Sequence, residues 1–285
     1  MTPRIPPRLA ASCRDASARA WLARLPDALR EVEQRWSLTV GAPFEHDETA
    51  CAWVAPVVCG GAPAVLKLAM PHMEGEHEIA GLRFWSGDPT VRLLEADEDL
   101  GAMLLERCVP GTSLRELAEP EQDRVIAPLL RRLWRVPPPG HRFRPLSAMI
   151  AAWSEETRGQ IARWPDAGLV NAGLRAFSEL TRGADAGVLL ATDLHAGNVL
   201  RAQRAAWLAI DPKPFVGDPA YDATQHLLNC RASLRADPRS AIHRFADALG
   251  VDRDRVRLWT FARAAAAPRD DWRDGWWTAL ARAIE

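Results

Sequence analysis

The chain has 285 residues, of which 48 % are hydrophobic and 26 % charged, and its formal net charge is −1. That composition supports a large core and excludes intrinsic disorder. The near-zero charge excludes bulk attraction to nucleic acid or to an anionic membrane surface, and no apolar run approaches the roughly 20 residues that span a bilayer.

Residues 15 to 36 read as a helix, with apolar side chains at Ala16, Ala20, Trp21, Leu25, Leu29, Val32 and Trp36. Pro26 is expected to break or kink it. Three strands are expected in SLTVGAPF, ACAWVAPVVC and PAVLKLA, with Gly60-Gly61 as a hairpin turn. The turn from His46 to Thr49 lacks the glycines that let a backbone approach a ligand closely. Lys67 stands between Leu66 and Leu68 on the third strand. Of the 36 basic residues only Lys67 and Lys213 are lysines, so an otherwise Arg-only chain keeps a compact point charge at those two places.

A helix over 73–86 offers Glu74, Glu76 and Glu78. Glu78 stands four residues before Leu82, shares its face and turns inward; Glu76 is the second choice. Strands are expected next at 91–95 and 102–105. In the stretch after them, ERCVPGTSL, Pro110-Gly111 marks a turn, and Thr112 or Ser113 caps the helix beyond it. An amphipathic helix covers 120–135, a proline-stiffened connector begins at Val136, and helices cover 145–164 and 169–182. Beyond Asp218 the pattern is helical over 219–231, 238–249, 252–267 and 270–284. The five cysteines, Cys13, Cys51, Cys59, Cys108 and Cys230, are odd in number and match no zinc or redox spacing. Cys51 and Cys59 are expected on neighbouring strands in a structural role, and the setting is a reducing cytoplasm.

The chemistry concentrates in Gly187 to Asp222, GVLLATDLHAGNVLRAQRAAWLAIDPKPFVGDPAYD. A short apolar run at 188–190 enters a polar turn carrying Asp193, His195, Gly197 and Asn198. A second run, 207–210, ends on Asp211. The pattern predicts a hairpin-like unit with its polar groups at strand ends. Any one of these residues alone is an ordinary turn former. Together, two carboxylates and a carboxamide suit phosphoryl transfer, which needs a proton acceptor for a hydroxyl and hard oxygen ligands for Mg²⁺. Asp193-x-x-x-x-Asn198 has the spacing of a kinase catalytic loop, and Asp211 falls where a second metal-binding Asp belongs. Lys213, two residues on, shares the side of Asp211 in an extended segment and could neutralise phosphate charge.

DLHAGNVL, followed by AIDPK and GDPAYD, resembles the aminoglycoside phosphotransferase family. It is most similar to the branch that includes streptomycin 6-phosphotransferases and hydroxyurea phosphotransferases. The motifs span the second half, and weaker similarity reaches back to about Val65. One departure is local: Ala191-Thr192 stands where the family usually has His-Gly.

The resemblance implies an α+β, two-lobed protein-kinase-like fold. An N-terminal lobe over 1–106 carries an antiparallel sheet, 107–113 connects, and a mostly helical C-terminal lobe covers 114–285. It implies ATP with Mg²⁺, GTP staying open. Asp193 is the base, and Asn198 and Asp211 hold the metal. Lys67 meets the α- and β-phosphates and pairs with Glu78. Thr49 and nearby amides cover the phosphates, and backbone near Glu106, Arg107 and Cys108 meets adenine. His195 has a structural role beside the base, and Asp222 braces the catalytic loop through backbone contacts. The implied acceptor is an aminoglycoside such as streptomycin, or hydroxyurea. Glu155, Glu156, Asp270, Asp271 and Asp274 are candidate carboxylates for a polycation, and Trp272, Trp276 and Trp277 a candidate pocket wall, although helix caps and core packing account for the same residues. Two alternatives stay open: a kinase for another alcohol or amine acceptor, and a relative that binds nucleotide without turnover. The expected molecule is a monomer with no nucleic-acid or membrane partner.

Overall fold

The computed structural model describes residues 4–45, 51–182, 187–269, 271 and 273–285. The chain divides into two units, Met1–Gly111 with Arg201–Ile210, and Thr112–Leu200 with Asp211–Glu285.

The first unit opens with α1 (Pro7–Ser12) and α2 (Ala16–Arg35). Asp15 caps α2 by accepting the Ala18 amide at 2.8 Å. Pro26 lies inside α2, which nevertheless runs unbroken through it. The expected break is absent because the helix is held by its buried face, Leu25, Leu29 and Val32, rather than by any single backbone bond. That face packs on a five-stranded antiparallel sheet of order β1-β2-β3-β5-β4. Its strands are β1 (Leu38–Val40), β2 (Ala52–Cys59), β3 (Ala62–Ala69), β4 (Leu93–Asp97) and β5 (Ala102–Glu106). The hairpin joining β2 to β3 turns at Gly60 and Gly61, whose φ values of 55° and 81° explain why glycine occupies both positions. Cys51 and Cys59 stand at opposite ends of β2, not on neighbouring strands, because the two residues bracket one continuous apolar run. The helix expected over 73–86 is shorter, α3 (Glu78–Trp85), with 73–77 forming turns before it.

The second unit is mostly helical. It contains α4 (Glu119–Leu133), α5 (Leu146–Gln160) and α6 (Ala167–Leu180). Four short strands come next: β6 (Val188–Leu190), β7 (Val199–Arg201), β8 (Trp207–Ala209) and β9 (Phe215–Gly217). Residues 201–210, including β8, belong to the first unit. The second unit ends with α7 (Pro219–Asn229), α8 (Arg231–Ala236), α9 (Pro238–Leu249), α10 (Arg253–Ala266) and α11 (Gly275–Ile284). Asp166, Asp218, Asp237, Asp252 and Asp274 cap five of these helices. Buried α10 packs against α6, α7, α9 and α11. Gly173 of α6 meets Ala265 and Ala266 there; a Cβ at Gly173 would lie 2.8 Å from that of Ala265. His226 of α7 and Asp123 of α4 form a buried bond of 2.8 Å that ties those helices together. Among the described residues no helix is long and apolar enough to cross a membrane.

The pairing of the short strands differs from expectation. β6 pairs with β9, Val188 opposite Gly217 and Leu190 opposite Phe215, while β7 pairs with β8. The run 207–210 is therefore not the hairpin partner of 188–190. Close backbone approach decides the match: a Cβ at Gly187 would sit 2.2 Å from the Gly217 carbonyl oxygen. Asp211 consequently lies between strands, with φ 53°.

Candidate active site

In the first unit, alternation along β3 sets the direction of Lys67. Leu66 and Leu68 are fully buried on the face covered by α2, so Lys67 points to the opposite face. There its Nζ lies 2.6 and 2.7 Å from the two carboxylate oxygens of Glu78. Lys67 is 6 % exposed and Glu78 2 %. Glu78 opens α3, where the helix dipole favours a carboxylate.

The turn from His46 and the candidate Thr49 lie outside the described residues. At the end of β5 the Glu106 amide donates to the Arg92 carbonyl at 2.9 Å. The Glu106 side chain accepts from Arg204, at 2.8–3.2 Å, and from the Arg92 amide at 3.0 Å. Burial pushes that carboxyl up, but these donors outweigh it and hold it below the usual range. Arg204 is a partner that sequence reading missed. Burial pushes the Cys108 thiol up to about 11, so it is no reactive thiolate.

In the second unit the loop after β6 is braced from within. Buried Asp222 accepts the Ala191 amide at 3.0 Å, the Thr192 amide at 2.7 Å and the Trp134 indole N–H at 3.0 Å. Burial pushes its carboxyl up to about 6, against the pull of those three donors and of Arg263. Sequence reading found Asp222 but not Trp134. Asn198 Nδ2 donates to the Asp193 carbonyl at 3.0 Å, which makes its side-chain oxygen the atom available to a ligand. His195 Nδ1 accepts the Gly197 amide at 3.1 Å and so carries no proton; its Nε2 stands 4.0 Å from Asp193 Oδ1, outside hydrogen-bond reach. Asp193 Oδ1 accepts Gln225 Nε2 at 2.7 Å.

Lys213 Nζ pairs with Asp211 Oδ1. The left-handed turn at Asp211, rather than simple alternation, brings the two together, and the Lys213 amide pins the segment to the Ala191 carbonyl at 2.8 Å. The Asn198 oxygen and the Asp211 carboxylate are hard donors of the kind Mg²⁺ takes, and they could hold such an ion.

Thr192 explains how the chain tolerates its departure from His-Gly. It adopts φ 47°, a left-handed conformation natural to glycine and costing a β-branched residue about 1–2 kcal/mol. Its Oγ1 offsets this by donating to the Lys213 carbonyl at 2.6 Å. Thr192→Gly trades the strain for the bond and is expected to change stability by no more than about 1 kcal/mol. Thr192→Val keeps the strain and strands a buried carbonyl, and is expected to cost about 1–3 kcal/mol. Urea unfolding of both variants checks the order; a Val variant as stable as the Gly variant would contradict it.

Of the acceptor candidates, Asp271, Asp274, Trp276 and Trp277 are engaged locally. Glu155 and Glu156 are exposed on α5. Asp274 caps α11 through the Trp276 amide, and Asp271 accepts the Trp277 indole N–H at 3.1 Å. The Trp277 ring lies 4.0 Å from the Arg269 guanidinium and the Trp276 ring 5.1 Å from that of Arg235. Asp270 and Trp272 lie outside the described residues.

Solved structures define the class. Choline kinase LicA from Streptococcus pneumoniae matches with a TM-score of 0.63 and 12 % identity, over 94 % of this chain and 99 % of that one. Aminoglycoside phosphotransferase APH(4)-Ia matches with a TM-score of 0.53 and 15 % identity, over 90 % and 98 %. The fold is thus the protein-kinase-like one of small-molecule kinases. Sequence carries this further: the model of the "Aminoglycoside/hydroxyurea antibiotic resistance kinase" family matches residues 35–275, and the chain belongs to that family of phosphotransferases. A streptomycin 6-kinase of Streptomyces glaucescens is 38 % identical over 95 % of this chain and 92 % of its own length. A hydroxyurea phosphotransferase of Kitasatospora aureofaciens is 38 % identical over 87 % of this chain and 73 % of its own length.

Proposed function

We propose that this chain transfers the γ-phosphoryl group of ATP to a hydroxyl of a small molecule, streptomycin-like or hydroxyurea, and so confers resistance to it. The observation that carries the reading is the braced loop: Asp193, with its side chain 31 % exposed, sits in a turn whose backbone is fixed by buried Asp222 and by Asn198. A base so held can orient the acceptor hydroxyl and take its proton as the new O–P bond forms. Asn198 and Asp211 would hold Mg²⁺, which supplies charge neutralisation on the phosphates. Lys67, fixed by Glu78, would meet the α- and β-phosphates, and Lys213 would stand against the charge developing on the transferred group. Thr49 and the amides of its turn would cover the phosphates, and backbone at Glu106 to Cys108 would meet the base of the nucleotide, ATP or GTP. His195 would keep the turn in shape. The proposed molecule is a cytoplasmic monomer; its five cysteines form no disulfide, which suits a reducing setting.

Acceptor choice rests on the streptomycin 6-kinase and hydroxyurea phosphotransferase relatives rather than on any pocket residue. ADP release is measured with Mg·ATP and streptomycin, hydroxyurea, choline or no acceptor, with product mass read in parallel. Phosphorylated streptomycin or phosphorylated hydroxyurea is expected. Turnover of choline alone would move the chain to another acceptor class, and no acceptor-dependent turnover would make it a nucleotide-binding relative.

A further inference from the structure

We infer that Gln225 and Arg263 form a fixed relay that positions the Asp193 carboxylate. The inference rests on the reading of Asp193 as the base.

Gln225 stands three residues after Asp222 on α7, so the two side chains share a face and reach the same loop. Asp222 holds the loop backbone. Gln225 holds the acid itself, donating from Nε2 to Asp193 Oδ1 at 2.7 Å. Gln225 Oε1 accepts Arg263 Nη2 at 2.5 Å. The orientation of this amide is dictated by its neighbours. A guanidinium only donates and must meet the oxygen, whereas an ionised carboxylate only accepts and must meet the nitrogen. Turning the amide over would break both bonds at once.

Arg263 is itself immobilised. It is 8 % exposed, Nη1 donates to Thr224 Oγ1 at 2.7 Å, and the guanidinium carbon lies 5.2 Å from the Tyr221 ring and 5.6 Å from that of Trp153. Its charge pulls on the buried Asp222 carboxyl, and its buried Nε has no hydrogen-bond partner. A buried cation is costly to keep unless its remaining hydrogen bonds are made. A neutral amide relay gives that cation a use which a direct ion pair would not serve. It holds one carboxylate oxygen in place without placing a full positive charge on the base. The fold therefore commits a buried Arg, two aromatic rings and one carboxamide to the orientation of a single side chain.

Gln225→Met keeps length and removes both bonds. With Mg·ATP and streptomycin, or hydroxyurea if that is the acceptor, kcat is expected to fall about 10–10²-fold while KM for both substrates stays within about twofold. In an Asp193→Asn background the same change is expected to cost little further, because there is no base left to position. Wild-type kcat for Gln225→Met, or an equal loss in both backgrounds, overturns the inference. If Gln225→Met lowers the thermal midpoint, Arg263→Lys decides instead: it keeps a cation but loses the planar fork that reaches Thr224 and Gln225 together. Reduced kcat at unchanged KM supports the relay, and wild-type kcat overturns it. Failure of the underlying reading looks different. Asp193→Asn at the wild-type rate removes the base and the relay with it, whereas an inactive Asp193→Asn beside a fully active Gln225→Met removes the relay alone.

Discussion

Asp193→Asn is expected to lose about 10²–10⁴-fold in kcat, with the affinity for Mg·ATP little changed. The substitution preserves volume, and the loop backbone is held by other side chains. Asp222 holds the amides of Ala191 and Thr192, and Asn198 bonds the Asp193 backbone carbonyl. The loop should thus keep its shape while the proton acceptor disappears. Gln225 still finds an oxygen to donate to if the new carboxamide presents one toward it. Steady-state kinetics and calorimetry on the same preparation separate the outcomes. A wild-type rate means that Asp193 is not the base. A parallel loss of nucleotide affinity means that Asp193 serves binding or folding.

How much of this was legible in the sequence depends on the range of the physical signal. A four-residue helical interval turns Glu78 inward, and the family resemblance names Lys67 as its partner; the structure contains that pair. The spacing of Asp193 and Asn198 encodes one turn, so the turn is readable as well. Trp134, Gln225, Arg263 and Arg204 were not readable. Each acts on a partner reached only through tertiary packing, Trp134 on Asp222 and Arg204 on Glu106, and an Arg or Gln on a helix carries no local mark of the acid it will meet. The three-residue strand Phe215–Gly217 is too short to show a period, and it displaced the apolar run 207–210 as the partner of β6. Pro26 does not break α2, for the opposite reason: a strong local rule was outweighed by a buried helix face.

Lys67→Met is expected to lower stability by about 3–5 kcal/mol and kcat/KM for ATP by about 10²-fold or more. The two effects have different origins, and a second substitution separates them. Lys67 and Glu78 are both nearly sealed from water, so removing the ammonium leaves a buried carboxylate without that partner. Most of the stability loss is that stranded charge, not the attraction given up, since pairing in a low-dielectric interior largely offsets the desolvation of both ions. Lys67→Met combined with Glu78→Leu removes both charges and should unfold in urea within about 1 kcal/mol of the wild type, or above it. On the proposed reading activity should not return, because Lys67, held by Glu78, supplies the positive charge for phosphates bound in line for transfer. A pair kept only for the fold would behave otherwise: the double variant would recover wild-type kcat/KM for ATP along with its stability. That outcome would remove Lys67 from the nucleotide site. Recovery of stability without turnover would leave the buried pair as part of the machinery that fixes the phosphates.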